Sequence, residues 1–277
     1  MSETTSTAGR SAVTPVAASA GRSAVSPAAA SAGPTAGRSA AQSAAAAGPD
    51  PAGRAAAELD STIAGIERRL TVWAADTGAA LAAMSGKVTG TAVDKLIRPF
   101  VEELVQLPDG YAAGAGFIAN AGLLGPERSY IAWWQGPDLE PVDALANFSP
   151  NSISRYVKAE WFRIPVETGQ AHVTGPYVDF LCTDEYVLTF THPVFTRPDG
   201  PVAGIVGIDV TVQRLERGAM PALRRIGGRA TLATADGRAV VSAASDIDAG
   251  DLTAPDEPCA RYPVGRTFTV WSNAIGR

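Results

Sequence analysis

The chain has 277 residues, 46% of them hydrophobic, which is enough to bury a sizeable core in one or two domains. A formal net charge of −5 leaves no basic footprint for nucleic acid. Two cysteines, Cys182 and Cys259, and two histidines, His172 and His192, are too few and too scattered for a metal centre. The cysteines read either as a bridge or as two buried thiols.

Residues 1–53 are low in complexity. The run Ala8-Gly-Arg-Ser-Ala-Val-Thr-Pro recurs from Ala20 as Ala-Gly-Arg-Ser-Ala-Val-Ser-Pro, and Ala36-Gly-Arg-Ser begins a third copy. Such a repeat has almost no large apolar side chains to offset ordering entropy, which predicts a disordered tail. It makes a poor signal peptide, and no segment of the chain reaches the roughly 18 consecutive apolar residues of a membrane span. The expectation is therefore a cytoplasmic protein.

Apolar residues at helical spacing, Leu59, Ile63, Ile66, Leu70, Trp73 and Leu81, predict a long helix over Ala55 to Met84, with Asp60-Ser61-Thr62 or Pro51 setting its start. A second helix is expected over Ala92 to Gln106, its apolar face made by Leu96, Ile97, Phe100, Val101, Leu104 and Val105. Two strands follow, Ala112 to Leu124 and Ser129 to Trp134. Trp133 and Trp134 are adjacent and so face opposite sides of a strand; either is a core residue or the wall of a cavity. Gly136 to Asn151, rich in Pro, Asp and Asn, reads as a loop.

The stretch from Trp161 to Val210 organises the chain. Lys158 to Gly169 has helical spacing, limited to a turn or two by Pro165. Two β-rich runs, Glu185 to Phe195 and Pro201 to Val212, are joined by Arg197-Pro198-Asp199-Gly200 as an antiparallel pair. Asp179 and Asp209 fall at or near strand ends, where they can face a cavity beneath the helix. Beyond them, Val212 to Ile226 reads as a helix broken or kinked at Pro221. Strands at Ala230 to Ala235, Arg238 to Ser242, Cys259 to Val264 and Thr267 to Trp271 make a small second sheet.

The ordered series Trp161-Phe162, Tyr177-Val178-Asp179 and Gly207-Ile208-Asp209 resembles the Cache domain, a PAS-like sensor of α+β class. Within it the match is to the double-Cache type whose membrane-distal module binds amino acids and other amines. That subset carries Arg-x-Trp-Tyr, then Tyr-x-Asp, then a late Asp. Here Trp161, Tyr177, Asp179 and Asp209 match, Phe162 stands where Tyr is usual, and the Arg position is Ala159. The resemblance implies a ligand site of Trp161, Phe162, Tyr177, Asp179 and Asp209. It also implies a PAS-like antiparallel sheet with a long N-terminal helix over residues 54–211, and a smaller, abbreviated second Cache-like module over 212–277.

Loss of the Arg has a chemical consequence. In the family it grips the ligand carboxylate as a bidentate fork, while aromatic rings and carboxylates hold the ammonium. Only the ammonium half is kept, since Lys158 and Arg163 point away from Ala159 on a helix. The expected ligand is an amine without an α-carboxylate, with an amino acid behind it. The long first helix reads either as a dimer seam or as packing within one domain.

No nucleophile motif, Walker loop, Gly-x-Gly-x-x-Gly or His-Glu-x-x-His is present, so neither an enzyme nor a cofactor is expected. Asp179 and Asp209 as an acid-base pair is the weaker alternative to ligand anchors. With no output domain evident, the expectation is a sensor that signals to a partner protein in trans. The alternative is a scaffold or dimerisation protein that kept the fold and lost its ligand.

Overall fold

The computed structural model describes residues 50–273 except 108–109, 143–146, 148, 180–184 and 256–257. The repeat up to residue 49 and Cys182 lie outside the described residues, as does any pairing of that thiol.

Helix α1 spans Pro51–Ala83. Asp50 caps it by accepting from the Ala52 N–H, and Pro51 occupies the first turn, where its missing N–H costs nothing. Leu59, Ile63, Ile66, Leu70, Trp73 and Leu81 are all buried along one stripe. Helix α2, Gly90–Val105, is capped by Thr89 and buries Val93, Ile97 and Val101, with Leu96, Phe100, Leu104 and Val105 half-buried beside them. Val93 was not foreseen on that face.

The main sheet is antiparallel throughout, in the order β3-β2-β1-β6-β5-β4. Its strands are β1 Ala112–Ala119, β2 Tyr130–Gln135, β3 Glu140–Pro141, β4 His172–Val178, β5 Tyr186–Phe195 and β6 Val202–Thr211. Side chains alternate between its faces. Phe117, Ala132, Trp134, Leu188, Phe190, Val206 and Ile208 join α1 and α2 in the larger core. Ile118, Ile131, Trp133 and Ile205 face the other way, onto helices α3 (Pro150–Lys158) and α4 (Glu160–Thr168). The sheet is thus the middle of three layers.

Two readings of the sequence are corrected here, the loop at 136–151 and the break at Pro221. The supposed loop 136–151 contains β3, and α3 begins within it at Pro150. The Gly-Pro-Tyr-Val segment lies in a strand, β4, because β4 is the sheet edge and Pro176 falls where the register shifts between Thr174 and Tyr177, so no ladder N–H is missed. Helix α5, Val212–Ile226, runs unbroken through Pro221.

Strands β7 Thr231–Thr234, β8 Ala239–Ser242, β9 Cys259–Val264 and β10 Phe268–Asn273 form the second sheet, in the order β8-β7-β10-β9. Leu232, Val241, Val264, Phe268 and Val270 pack into the same core as α1 and α5. The turn between β9 and β10 clips onto α1: Gly265 N–H donates to Asp60 at 2.8 Å, and Arg266 N–H to Glu67 at 3.2 Å.

Candidate ligand-binding site

The site lies where the second face of the sheet meets α3 and α4. Pro150 stands at the start of α3, and Ile153 N–H closes back on the Ser149 carbonyl. Ala159, in extended conformation, separates the two helices as the N-cap of α4, and Gly169 ends α4 in the left-handed region at φ 67°. The bend at Ala159 brings Tyr156 of α3 edge-on to Trp161 of α4, with ring centroids 6.3 Å apart. Ala159 is therefore a junction residue rather than part of a helix body as expected, and it does not line the cavity.

Beneath those rings lies a small cavity of about 20 Å³, lined by Tyr156, Trp161, Trp133, Tyr177, Asp179, Thr189 and Asp209 with Ile118, Ile131 and Val142. Four of the five residues singled out from sequence meet there: Trp161, Tyr177, Asp179 and Asp209. Phe162 does not. It is 3% exposed and packs behind the wall with Ile205, Ile118 and Ile131.

Sheet register supplies what sequence reasoning missed. Asp209 on β6 is the cross-strand partner of Thr189 on β5, whose hydroxyl donates to Asp209 Oδ1 at 2.7 Å. Tyr177 Oη lies 2.8 Å from the same hydroxyl. Nothing in a linear sequence marks Thr189, because pairing register is set by the fold. Trp133 was legible as a possible wall residue from its alternation with Trp134, and the structure sends Trp133 to the cavity and Trp134 to the core. Tyr156 fell just beyond a stretch read as a loop.

Asp179 and Asp209 are each 5% exposed. Burial pushes the Asp209 carboxyl up to about 7; the Thr189 hydrogen bond opposes this, the charge of Asp179 adds to it, and nearby Trp133 opposes it. The Trp133 indole N–H is close enough to favour the charged carboxylate, yet it makes no hydrogen bond of ordinary geometry. No basic side chain is among the described residues lining the cavity. Arg163 instead pairs at the surface with Glu167 at 2.8 Å, Lys158 is exposed, and His172 meets Glu160 at 3.0 Å outside the cavity. Two buried carboxylates walled by aromatic faces are thus brought together in one cavity.

Residues 138–217, which carry all five expected ligand residues, match the family model described as the first PDC sensor domain of methyl-accepting chemotaxis protein-like receptors. No curated protein matches the chain in sequence. Among solved structures the fold is similar to "Methyl-accepting Chemotaxis protein X", with a TM-score of 0.55 at 14% identity over 80% of this chain and 93% of that one. It is also similar to the ligand-binding domain of the Pseudomonas aeruginosa PAO1 amino acid chemoreceptor PctC in complex with GABA, with a TM-score of 0.51 at 15% identity over 79% of this chain and 94% of that one. A third is the extracellular domain of the putative histidine kinase mmHK1S-Z3, with a TM-score of 0.53 at 12% identity over 80% and 93%.

The fold is thus that of a PDC, or Cache-like, sensor domain of the chemoreceptor type, an α+β architecture with a PAS-like sheet and a long N-terminal helix. The matched family and structures are sensory modules rather than enzymes. The cytoplasmic expectation is corrected by the same findings. The family is one of receptor sensor domains, and the kinase neighbours are extracellular domains, which points to a periplasmic or extracellular placement. Among the described residues no helix is long and apolar enough to cross a membrane; the cytoplasmic expectation rested on that property and on the poor signal peptide, and neither reports location.

Proposed function

We propose that the cavity under α3 and α4 is the ligand site of a small-molecule sensor module, and that its ligand is an amine lacking an α-carboxylate. The observation that carries this is the pair Asp179 and Asp209, buried together against Trp161, Tyr156 and Tyr177 with no cation among the described lining residues. Carboxylates hold an ammonium by charge-assisted hydrogen bonds, and the rings hold it by cation-π attraction. Ala159 in place of the Arg removes the fork that grips a carboxylate, so an α-amino acid is the weaker ligand. Trp161 and Tyr177 are partly exposed members of the wall.

The second sheet completes the reading as an abbreviated second module of the double-Cache type, and its docking on α1 links the site to the long helix. The module pairs with a second copy along the exposed face of α1, where Val72 is 61% exposed, and passes its signal to a partner protein.

One observation favours a second reading. A cavity of about 20 Å³ holds about one water, as in a scaffold that has lost its ligand. A thermal-shift panel of primary, quaternary and polyamines against α-amino acids, run on the full chain, separates the two. At 100 times its dissociation constant a ligand adds about 2.7 kcal/mol. Shifts confined to amines and lost in Asp179→Ala support the sensor, whereas a folded protein that responds to nothing supports the scaffold.

A further inference from the structure

Helix α1 leaves one face uncovered. Val72 on that face is 61% exposed, one of three large hydrophobic side chains left so open among the described residues. It stands at the edge of a groove of about 580 Å³ between α1 and α2, whose apolar lining includes Trp73, Phe100, Leu104 and Leu107. Arg68 lies four residues before Val72 and Asp76 four residues after it, so the three follow one ridge of the helix. Arg68 and Asp76 are both exposed, and neither has a partner among the described residues. At 1.5 Å per residue they are ~12 Å apart along the axis, too far to pair with each other. Opposite charges set symmetrically about an exposed valine are complementary to themselves under a two-fold rotation.

We infer that this face docks a second copy of the chain in antiparallel orientation, with the two-fold axis at Val72 and Arg68 of each copy against Asp76 of the other. This rests on the pairing along α1 proposed above and makes it specific; it does not depend on what the cavity under α3 and α4 binds. A parallel pair in register sets Arg68 against Arg68 and Asp76 against Asp76, like charge on like. The antiparallel pair makes two ion pairs instead. The same rotation sets Gly65 against Ala79, small against small, so the helices can approach closely. The two Val72 side chains meet on the axis and remove each other from water. The second sheets, held to α1 at Asp60 and Glu67, then lie at opposite ends of the pair. One helix face is a smaller contact than a standard interface, so the dimer is weak and forms as concentration rises.

The test is sedimentation velocity of the full chain over a concentration series, on wild type, Val72→Glu, Arg68→Asp, Asp76→Arg and the double variant Arg68→Asp/Asp76→Arg. All three side chains are exposed, so the substitutions leave the core untouched, and circular dichroism checks that each variant is folded. The wild type is expected to dimerise and Val72→Glu to stay monomeric. Each single charge reversal turns two attractions into two repulsions and should weaken the dimer about tenfold, and the double reversal should restore it. High salt should narrow these differences. Single reversals that leave the dimer unchanged, or a double reversal that fails to restore it, overturn the antiparallel inference; a monomeric Val72→Glu then leaves the pairing along α1 standing. A dimer that survives Val72→Glu, or a wild type that stays monomeric throughout, overturns both.

Discussion

Thr189 and Asp209 face each other across β5 and β6, and the threonine hydroxyl donates a 2.7 Å hydrogen bond to the carboxylate. That uses the hydroxyl's single proton, so Tyr177, 2.8 Å from the same oxygen, is the donor in their contact. The chain Tyr177 to Thr189 to Asp209 is what makes a charged Asp209 tolerable in a buried cavity. Thr189→Val keeps the shape and removes the relay. It should lower stability at pH 8 by about 1–3 kcal/mol and lower it much less at pH 5, where Asp209 holds its proton. Denaturant unfolding at the two pH values measures this, and an equal loss at both would exclude the relay.

The raised pKa of Asp209 has a defined consequence for stability. Its folded value is about 7 against an ordinary 3.8, with burial as the main cause. Between those values the folded protein holds a proton that the unfolded chain has lost. This contribution to stability is full below about pH 4, falls as pH rises, and is gone above about 7. Its size is of order 4 kcal/mol, from about 1.4 kcal/mol per pH unit. Asp209→Asn should flatten the fall and be more stable than wild type at pH 8. Parallel stability-pH curves for the two proteins would show that Asp209 does not titrate as described.

Gly207 makes room for the indole of Trp133. In Gly207→Ala the new methyl meets Trp133 Cη2 at 2.8 Å, the Phe190 carbonyl oxygen at 3.1 Å and Thr191 Cγ2 at 3.1 Å. The ring is the part able to give, and it rises into the cavity. The expected outcome is a stability loss of about 1–3 kcal/mol together with loss of amine binding, read by chemical denaturation and calorimetry. Binding at wild-type affinity would mean that the indole is not the floor of the site.

The second sheet depends on its clip to α1. Asp60→Ala removes the acceptor of the Gly265 N–H bond and should cost about 1–2 kcal/mol while leaving amine affinity unchanged. Hydrogen exchange should then quicken in β9 and β10 before β5 and β6. Uniform loosening of both sheets would show that they unfold as one unit.

Much of the fold was legible because its physics is local. The helical stripe from Leu59 to Leu81, the turn at Arg197-Pro198-Asp199-Gly200 and the alternation of Trp133 with Trp134 each state a period or a reversal directly. Strand β4 was legible only by its end at Asp179, since Gly175 and Pro176 argue against a strand unless the edge position and register shift are known. Helix α3 was hidden by a polar lead-in. In the site, Trp161, Tyr177, Asp179 and Asp209 were reached through motif order. Phe162 was placed there by the same motif, standing where Tyr is usual, and the turn of α4 sends it into the packing with Ile205. Thr189 and the nearness of the Trp133 indole to Asp209 depend on cross-strand register, which no single segment carries.

The central claim is that a ligand ammonium takes the place of the proton on Asp209. Calorimetric titration of the full chain with ethanolamine at pH 6 and pH 8, in buffers of different ionisation enthalpy, tests it most directly. With a carboxyl near 7, the ionised fraction rises about tenfold between those pH values. The predicted result is about tenfold tighter binding at pH 8, with most of one proton released per ligand at pH 6. Binding independent of pH, without proton release, or no binding at either pH, would contradict it.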